Sequence, residues 1–218
     1  MGAPSAAELW PSLEEGNGRQ PCFLEGEVWL VLPTLKGQIS DVLQDVGSLT
    51  REGVSVDQTK GPVHIDPTAV IEPGVHIIGP SYIGPNATIR HGAYIREYSW
   101  ICAGAMVGHA SEVKHSILLP GAKAPHFNYV GDSVLGPNVN LGAGVKLSNL
   151  RNDGGEVHVV IDGVRVPSGL RKFGAILGEG CQLGCNAVTN PGVVLGPDSM
   201  VMPNTTVTGI HGANSRIG

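Results

Sequence analysis

The chain is poor in aromatic residues (5%), in charge (15%, net −5) and in cysteine, of which it has four in 218 residues. With so little charge there is no polybasic footprint, so neither nucleic acid nor an anionic membrane surface is expected as a partner. Cys22, Cys102, Cys181 and Cys185 are too few and too scattered for a disulfide framework and are read as thiols. Cys181 and Cys185 have no second ligand pair at zinc-finger spacing, so both are expected as buried small side chains. No apolar run approaches a bilayer span, and Met1 to Leu13 has neither the basic start nor the apolar core of a secretory signal. A cytoplasmic protein is therefore expected. What the chain has in excess is turn, with 32 glycines and 16 prolines beside 41% hydrophobic residues. That apolar fraction excludes disorder, and glycine without a period of three excludes collagen.

The turns are periodic. Ile65, Ile71, Ile77, Ile83, Ile89, Ile95, Ile101, Val107, Val113 and Leu119 recur every six residues. Four places after each of the first eight stands a small or short side chain: Ala69, Val75, Ser81, Ala87, Ala93, Ser99, Ala105 and Ser111. Gly74, Asn86, Gly92 and Gly104 precede small ones, as tight turns require. A second run covers Leu177, Leu183, Thr189, Leu195, Val201 and Val207, with Leu135, Leu141 and Leu147 between the two. Neither a helix of period 3.6 nor a strand of period two yields a strict six. A short strand plus a turn does, with the small residue and the aliphatic two places later both pointing inward. Three such units close a triangular coil of about 18 residues, and coils stacked at about 4.8 Å build a parallel β-solenoid.

Two segments depart from the pattern. Residues 1–60 lack the repeat, and Leu35, Ile39, Val42, Leu43 and Val46 after Pro33 form a helical stripe. A helical cap over 1–60, on or beside the first coil and covering its open edge, is expected, followed by the solenoid over 61–218. Between Leu147 and Leu177 the repeat breaks, and Glu156 to Val166 reads as a β-hairpin with an Asp-Gly turn, inserted at about 151–170. Such insertions often project and shape a binding cleft.

Outward residues 18 apart are neighbours on one face of such a coil. Arg96 and Lys114 are so spaced, two cations one strand apart. Either Glu112 absorbs the charge or a ligand phosphate does. The same spacing stacks His91 on His109; the wider histidine pattern suits no metal set, so these are read as surface side chains. Register slips after Leu119, since Leu135 follows 16 residues later, and the intervening stretch holds His126, Asn128, Tyr129 and Asp132. A slip in a strict repeat is where function is expected to distort structure, and His126 stands there as either a structural histidine or a general base.

The hexads resemble those of the hexapeptide-repeat acyltransferases, which implies a mainly β fold, a left-handed parallel β-helix. Within it, Arg96 to Asn149 resembles the acetyltransferase half of the bifunctional enzymes that make UDP-N-acetylglucosamine. The residues that carry the resemblance are Lys114, the run His126, Tyr129, Gly131, Asp132 in H-x-x-Y-x-G-D, then Asn140, Gly142, Ala143, Gly144 and Asn149. It implies His126 as general base, Arg96 and Lys114 as phosphate-side ligands, and Tyr129, Asn140 and Asn149 as groups that orient the sugar and its amine. Lys172, in K-F-G-A-I-L-G, matches a further sugar-side lysine, and Ala143 and Cys185 fall at acetyl-CoA contacts. No G-x-G-T-R phosphate loop precedes the repeat, so the nucleotidyltransferase half is not expected here.

The expected chemistry is transfer of acetyl from acetyl-CoA to the amine of a hexosamine 1-phosphate, glucosamine 1-phosphate most simply, with no metal required. Backbone N–H groups around Gly142 to Gly144 are the expected oxyanion donors. Lys114 and His126 are 12 residues apart and belong on different faces, and the resemblance implies a homotrimer whose sites combine residues of two subunits. Cys185 replaces a serine and Leu150 a tyrosine of the relatives. A non-catalytic scaffold or sugar-phosphate-binding subunit, partnering a nucleotidyltransferase, is the competing reading.

Overall fold

The computed structural model describes residues 3–13 and 19–218. From Ser55 onward the backbone repeats a strand of two to four residues and a tight turn. Three parallel eight-stranded sheets result, and strand order in each advances mostly by three, as a three-sided coil requires. The fold is a parallel β-solenoid. Face A includes Val63–Ile65, Ser81–Ile83, Ser99–Ile101, Ser116–Leu118 and Val134–Leu135; face B includes Ser55–Asp57, Tyr94–Ile95, Glu112–Lys114, Tyr129–Gly131 and Lys146–Leu147; face C includes Met106–His109, Lys123–His126 and Asn140–Leu141.

The inward columns follow the hexads. Ile77, Ile83, Ile89, Ile95, Ile101, Val107 and Val113 are fully buried in one core with Ala87, Ala93 and Ala105. Where the small residue is serine its hydroxyl turns back to the main chain: Ser81 Oγ donates to the Ile78 carbonyl at 2.8 Å and Ser99 Oγ to that of Arg96 at 2.7 Å. A buried hydroxyl is tolerated because it is bonded. At the corners Asn86, Gly92 and Gly104 take φ of 55°, 70° and 66°, the left-handed region that asparagine and glycine enter most readily.

The strict six holds only as far as Val113. Leu118, not Leu119, pairs with Ile101 and Leu135 and points into the core, making coils of 17 residues. Leu119 lies on the outside, among the N-terminal residues. All of Ile117, Leu118 and Leu119 are buried, by the core on one side and the N-terminal segment on the other, so hydrophobicity alone does not reveal which faces in. Val113 likewise pairs with Val130, and Val130 with Leu147. Each of these two coils drops one residue at the corner between faces B and A, at His115 and Asp132, and the break after Leu147 opens at the same corner. The slip expected downstream of Leu119 belongs to that corner.

The N-terminal segment contains helix α1 (Ala6–Leu9) and helix α2 (Val31–Val46). Ser5 and Glu8 form a reciprocal capping box at the start of α1. Leu35, Ile39 and Leu43 of the expected stripe are buried in α2 and Val42 and Val46 partly so; Pro33 sits in its first turn, where a missing N–H costs nothing. Residues 1, 2 and 14–18 of the expected cap lie outside the described residues. Its last residues do cover the edge of the first coil, where Leu49 bridges to His64 and Ser55–Asp57 pairs in register with His76–Ile78. The helical part of the segment lies elsewhere. It runs along the outside of face A, where Leu9, Trp10, Trp29 and α2 pack on Tyr82, Trp100, Ile117, Val134, Ile176 and Val194. Trp10 Nε1 donates to the Leu177 carbonyl at 3.0 Å, far down the prism. The reason is that face A carries large apolar outward residues over many coils, and the apolar faces of the helices are buried against them.

The hairpin is present as antiparallel strands His158–Ile161 and Val164–Pro167, turning at Asp162 and Gly163 with φ of 48° and 79°. It folds back and lays Val157 and Val159 on the same covered surface. Among the described residues no helix is long and apolar enough to cross a membrane.

Candidate functional site

On face B, Ile95 pairs with Val113, so Arg96 and Lys114 lie on adjacent strands as their spacing predicts. Each already holds a carboxylate. Arg96 Nη1 donates to Glu112 Oε1 at 2.9 Å, and Lys114 Nζ to Asp132 Oδ2 at 3.4 Å. Glu112 therefore neutralises the cation on the neighbouring strand rather than Lys114 beside it. That hydrogen bond raises the Arg96 guanidinium above its ordinary range.

Asp132 gathers the rest of this face. Its side chain is 5% exposed and also accepts from His115 Nδ1 at 2.8 Å and from Asn149 Nδ2. Burial pushes the carboxyl up, but the bonds from His115, Lys114 and Asn149 outweigh it and hold the group below the usual carboxylate range. Tyr129 lies across the space left by Gly131, where a Cβ would stand 2.7 Å from its hydroxyl and from Asn149 Nδ2. The Tyr129 hydroxyl reaches Asn149 Oδ1 at 3.5 Å, and burial raises its pKa. Lys172 is exposed beside this group, its backbone bridged to that of Leu150.

The second group stands at the corner between faces C and B. His126 pairs with His109, and the His91 and His109 rings stack at 5.6 Å with 9° between planes. Nδ1 of His91 lies 2.6 Å from the Pro73 carbonyl and Nδ1 of His109 lies 2.8 Å from that of His91, so both present Nε2 outward. His126 is exposed, and among the described residues its ring has no hydrogen-bond partner. Its backbone N–H is fixed by Asn128 Oδ1 at 2.9 Å, and Asn128 Nδ2 donates to the Gly142 carbonyl at 2.8 Å. The pairings Lys123 with Asn140 and Leu141 with Leu183 carry the column down from His126 to Ala143 and then Cys185. Gly142 and Gly144 spend their N–H groups on the carbonyls of Leu183 and His126. Of the three expected oxyanion donors, only Ala143 N–H has no acceptor among the described residues. Asn140 is half-buried on face C. Cys185 is exposed, contrary to expectation, because its position is at the corner; Cys181 is buried as expected, its thiol pushed up to about 12 by burial.

The structure thus gathers Arg96, Lys114, Tyr129, Asn149 and Lys172 on or beside face B, and His126, Ala143 and Cys185 at the other edge of that face. Sequence reading offered Glu112 as a carboxylate that absorbs the charge and gave no role to His115 or Asp132; counting coils of 17 instead of 18 brings His115, Asp132 and Asn149 into one column. A cleft of about 1160 Å³ lies under the N-terminal segment and is lined by Trp10, Cys22, Phe23, Gln38 and Trp100, well away from these residues. A smaller hollow of about 370 Å³ adjoins face B at Ser148, Leu150, Arg151 and Asn190. Neither contains His126, Arg96 or Lys114. Among the described residues no three His, Cys, Asp or Glu side chains are grouped to hold a metal ion.

A family model described as the GMPPB C-terminal domain matches residues 77–212, more than half of the chain. The chain belongs to that family. It is 36% identical over 184 residues, 84% of its length, to a bifunctional sugar-1-phosphate nucleotidylyltransferase/acetyltransferase of Sulfurisphaera tokodaii, and covers 45% of that protein. It is 38% identical over 182 residues to the bifunctional protein GlmU of Methanococcus maripaludis, covering 84% of this chain and 43% of that one. The chain therefore spans less than half the length of these two relatives. Similar solved structures include PerB from Caulobacter crescentus, in complex with CoA and GDP-perosamine (22% identity, TM-score 0.37, 91% of this chain and 78% of that one). Another is a putative acetyltransferase of Bacillus cereus (14% identity, TM-score 0.46, 75% and 76%).

Proposed function

We propose that the chain is an N-acetyltransferase that moves acetyl from acetyl-CoA to the amine of a hexosamine 1-phosphate, glucosamine 1-phosphate in the simplest case, in amino-sugar nucleotide synthesis in the cytoplasm. The observation that carries this reading is the exposed imidazole of His126 in one column with the Ala143 N–H, neither with a hydrogen-bond partner among the described residues, across face B from Arg96 and Lys114. The acetyltransferase named in the relatives supports it.

A sugar amine attacks a thioester only as the free base, its ammonium proton released to solvent, and it must shed a second proton as it becomes an amide; imidazole is the side chain that takes one near neutral pH. His126 accepts that proton as the nitrogen–carbon bond forms. The carbonyl oxygen gains charge, and the Ala143 N–H donates to it. Collapse breaks the carbon–sulfur bond, and the proton on His126 leaves with the coenzyme A thiol. No metal enters this sequence. Arg96, Lys114 and Lys172 take the phosphate, which exchanges with or bridges the carboxylates Arg96 and Lys114 now hold. Tyr129, Asn140 and Asn149 orient the sugar, and Cys185 with Ala143 lines the acetyl-CoA side.

The site is completed between copies of the chain, in a homotrimer. Three features support this: the base and the phosphate ligands lie on different sheets, neither hollow in one chain holds both, and face A is already occupied by the chain's own N-terminal segment. Phe127, 57% exposed beside His126, is suited to an apolar contact there. The competing reading, a non-catalytic sugar-phosphate-binding subunit, draws on the carboxylates that already neutralise Arg96 and Lys114. Free thiol followed during incubation with acetyl-CoA and a panel of amino-sugar phosphates decides between them. Turnover that His126→Ala abolishes supports the enzyme; no turnover, with sugar phosphate still bound, supports the scaffold.

A further inference from the structure

The corner between faces B and A carries more than a turn. There His115 and Asp132 mark the two places where the repeat drops a residue, both at positive φ, 45° and 47°. Both side chains are nearly buried. His115 Nδ1 lies 2.8 Å from Asp132 Oδ1. A carboxylate only accepts, so Nδ1 carries the proton and donates. With that oxygen held, Oδ2 is turned to Lys114 Nζ and the Asn149 amide. The other ring nitrogen of His115, Nε2, is buried without a hydrogen-bond partner among the described residues, and the ring stands edge-on to Tyr98 at 6.1 Å. An unpartnered buried nitrogen and a strained backbone both cost stability, and such costs collect where geometry matters. Histidine at 115 is thus poorly explained by packing and well explained by what Nδ1 holds.

We propose that His115 is a positioning residue: by donating from Nδ1 it fixes the Asp132 carboxylate so that Lys114 and Asn149 are presented to the phosphate and sugar of the acceptor. What Lys114 and Asn149 bind rests on the function proposed above; the hold on Asp132 does not. The groups facing Asp132 are His115 and Lys114 from the preceding coil, Asn149 from the following one and Tyr129 from the strand just before it.

Two variants separate this role from folding. His115→Gly accepts the positive φ and removes the ring. His115→Asn also accepts it and places an amide N–H where Nδ1 stood. In His115→Gly the acceptor KM rises about tenfold while the acetyl-CoA KM is unchanged, and in His115→Asn it returns to within about threefold of the parent. Independently of turnover, carbon-13 carboxyl titration of the intact protein finds Asp132 protonating at higher pH in His115→Gly than in the parent or His115→Asn. Equal Asp132 midpoints in all three proteins overturn the proposal, as does an unchanged acceptor KM in an active His115→Gly enzyme. Absence of turnover in the parent itself removes the acetyltransferase reading, while the Asp132 shift still supports the hold of His115.

Discussion

Faces A and B share one inner wall and differ in everything that points out. Inside, both are lined by the same aliphatics on the same period. Outside, face A presents Tyr82, Trp100, Ile117, Val134, Ile176 and Val194, all buried by the chain's own helices and hairpin. Face B presents Tyr94, Arg96, Glu112, Lys114, Tyr129 and Lys146, partly or fully exposed. Inward residues therefore set the solenoid, and outward residues decide what each wall is for. Apolar outward residues recruit the rest of the chain; polar ones, paired in charge, leave a wall available to a ligand or a neighbour.

If this division holds, damage to the two faces has opposite signatures. His126→Ala, at the edge of the bare face, lowers turnover by about 10²–10⁴-fold with thermal unfolding unchanged, since the ring has no hydrogen-bond partner among the described residues. Steady-state kinetics beside a melting curve checks it. Trp10→Ala, on the covered face, does the reverse: stability falls by about 3–5 kcal/mol in denaturant titration, while the folded fraction keeps its kcat. Asp132→Asn is intermediate and shows in acid. Because Asp132 is held below its unfolded value, its ionised network contributes stability above a pH of about 4, and that contribution is lost as pH falls through the depressed folded pKa. Acid unfolding followed by circular dichroism is expected to be steeper in the parent than in the variant. Val164→Ser, at the exposed hairpin tip, changes stability by no more than about 0.5 kcal/mol; a larger loss would mean that the hairpin meets something beyond face A.

The hexads made the solenoid legible because an inward aliphatic every six residues has few other physical causes, and the Asp-Gly pair made the hairpin legible for the same kind of reason. The helix over Leu35 to Val46 was readable from its stripe, but its resting place was not. That depended on outward residues such as Trp100 and Ile117, whose meaning is visible only once coils are stacked. The stacked pair Arg96 and Lys114 followed from spacing. Glu112 was legible as a carboxylate that could absorb their charge, though not that it reaches across to Arg96, and Asp132 was not, because it comes into register only when the coil shortens to 17 residues. The donor role of Gly142 and Gly144 was misjudged because the solenoid ladder itself consumes their N–H groups, leaving Ala143. Cys185 was misplaced since a corner and a wall look alike in composition.

The central claim is that a site is assembled from the His126 corner of one subunit and the Arg96 and Lys114 face of another. Co-expression of His126→Ala and Lys114→Ala chains, each inactive alone, measures it most directly. Random mixing in a trimer leaves about one site in four with both residues intact, so the hybrids are expected to recover about a quarter of the parent's turnover. Hybrids as inactive as either parent variant, in trimers shown to contain both chains, would contradict the account.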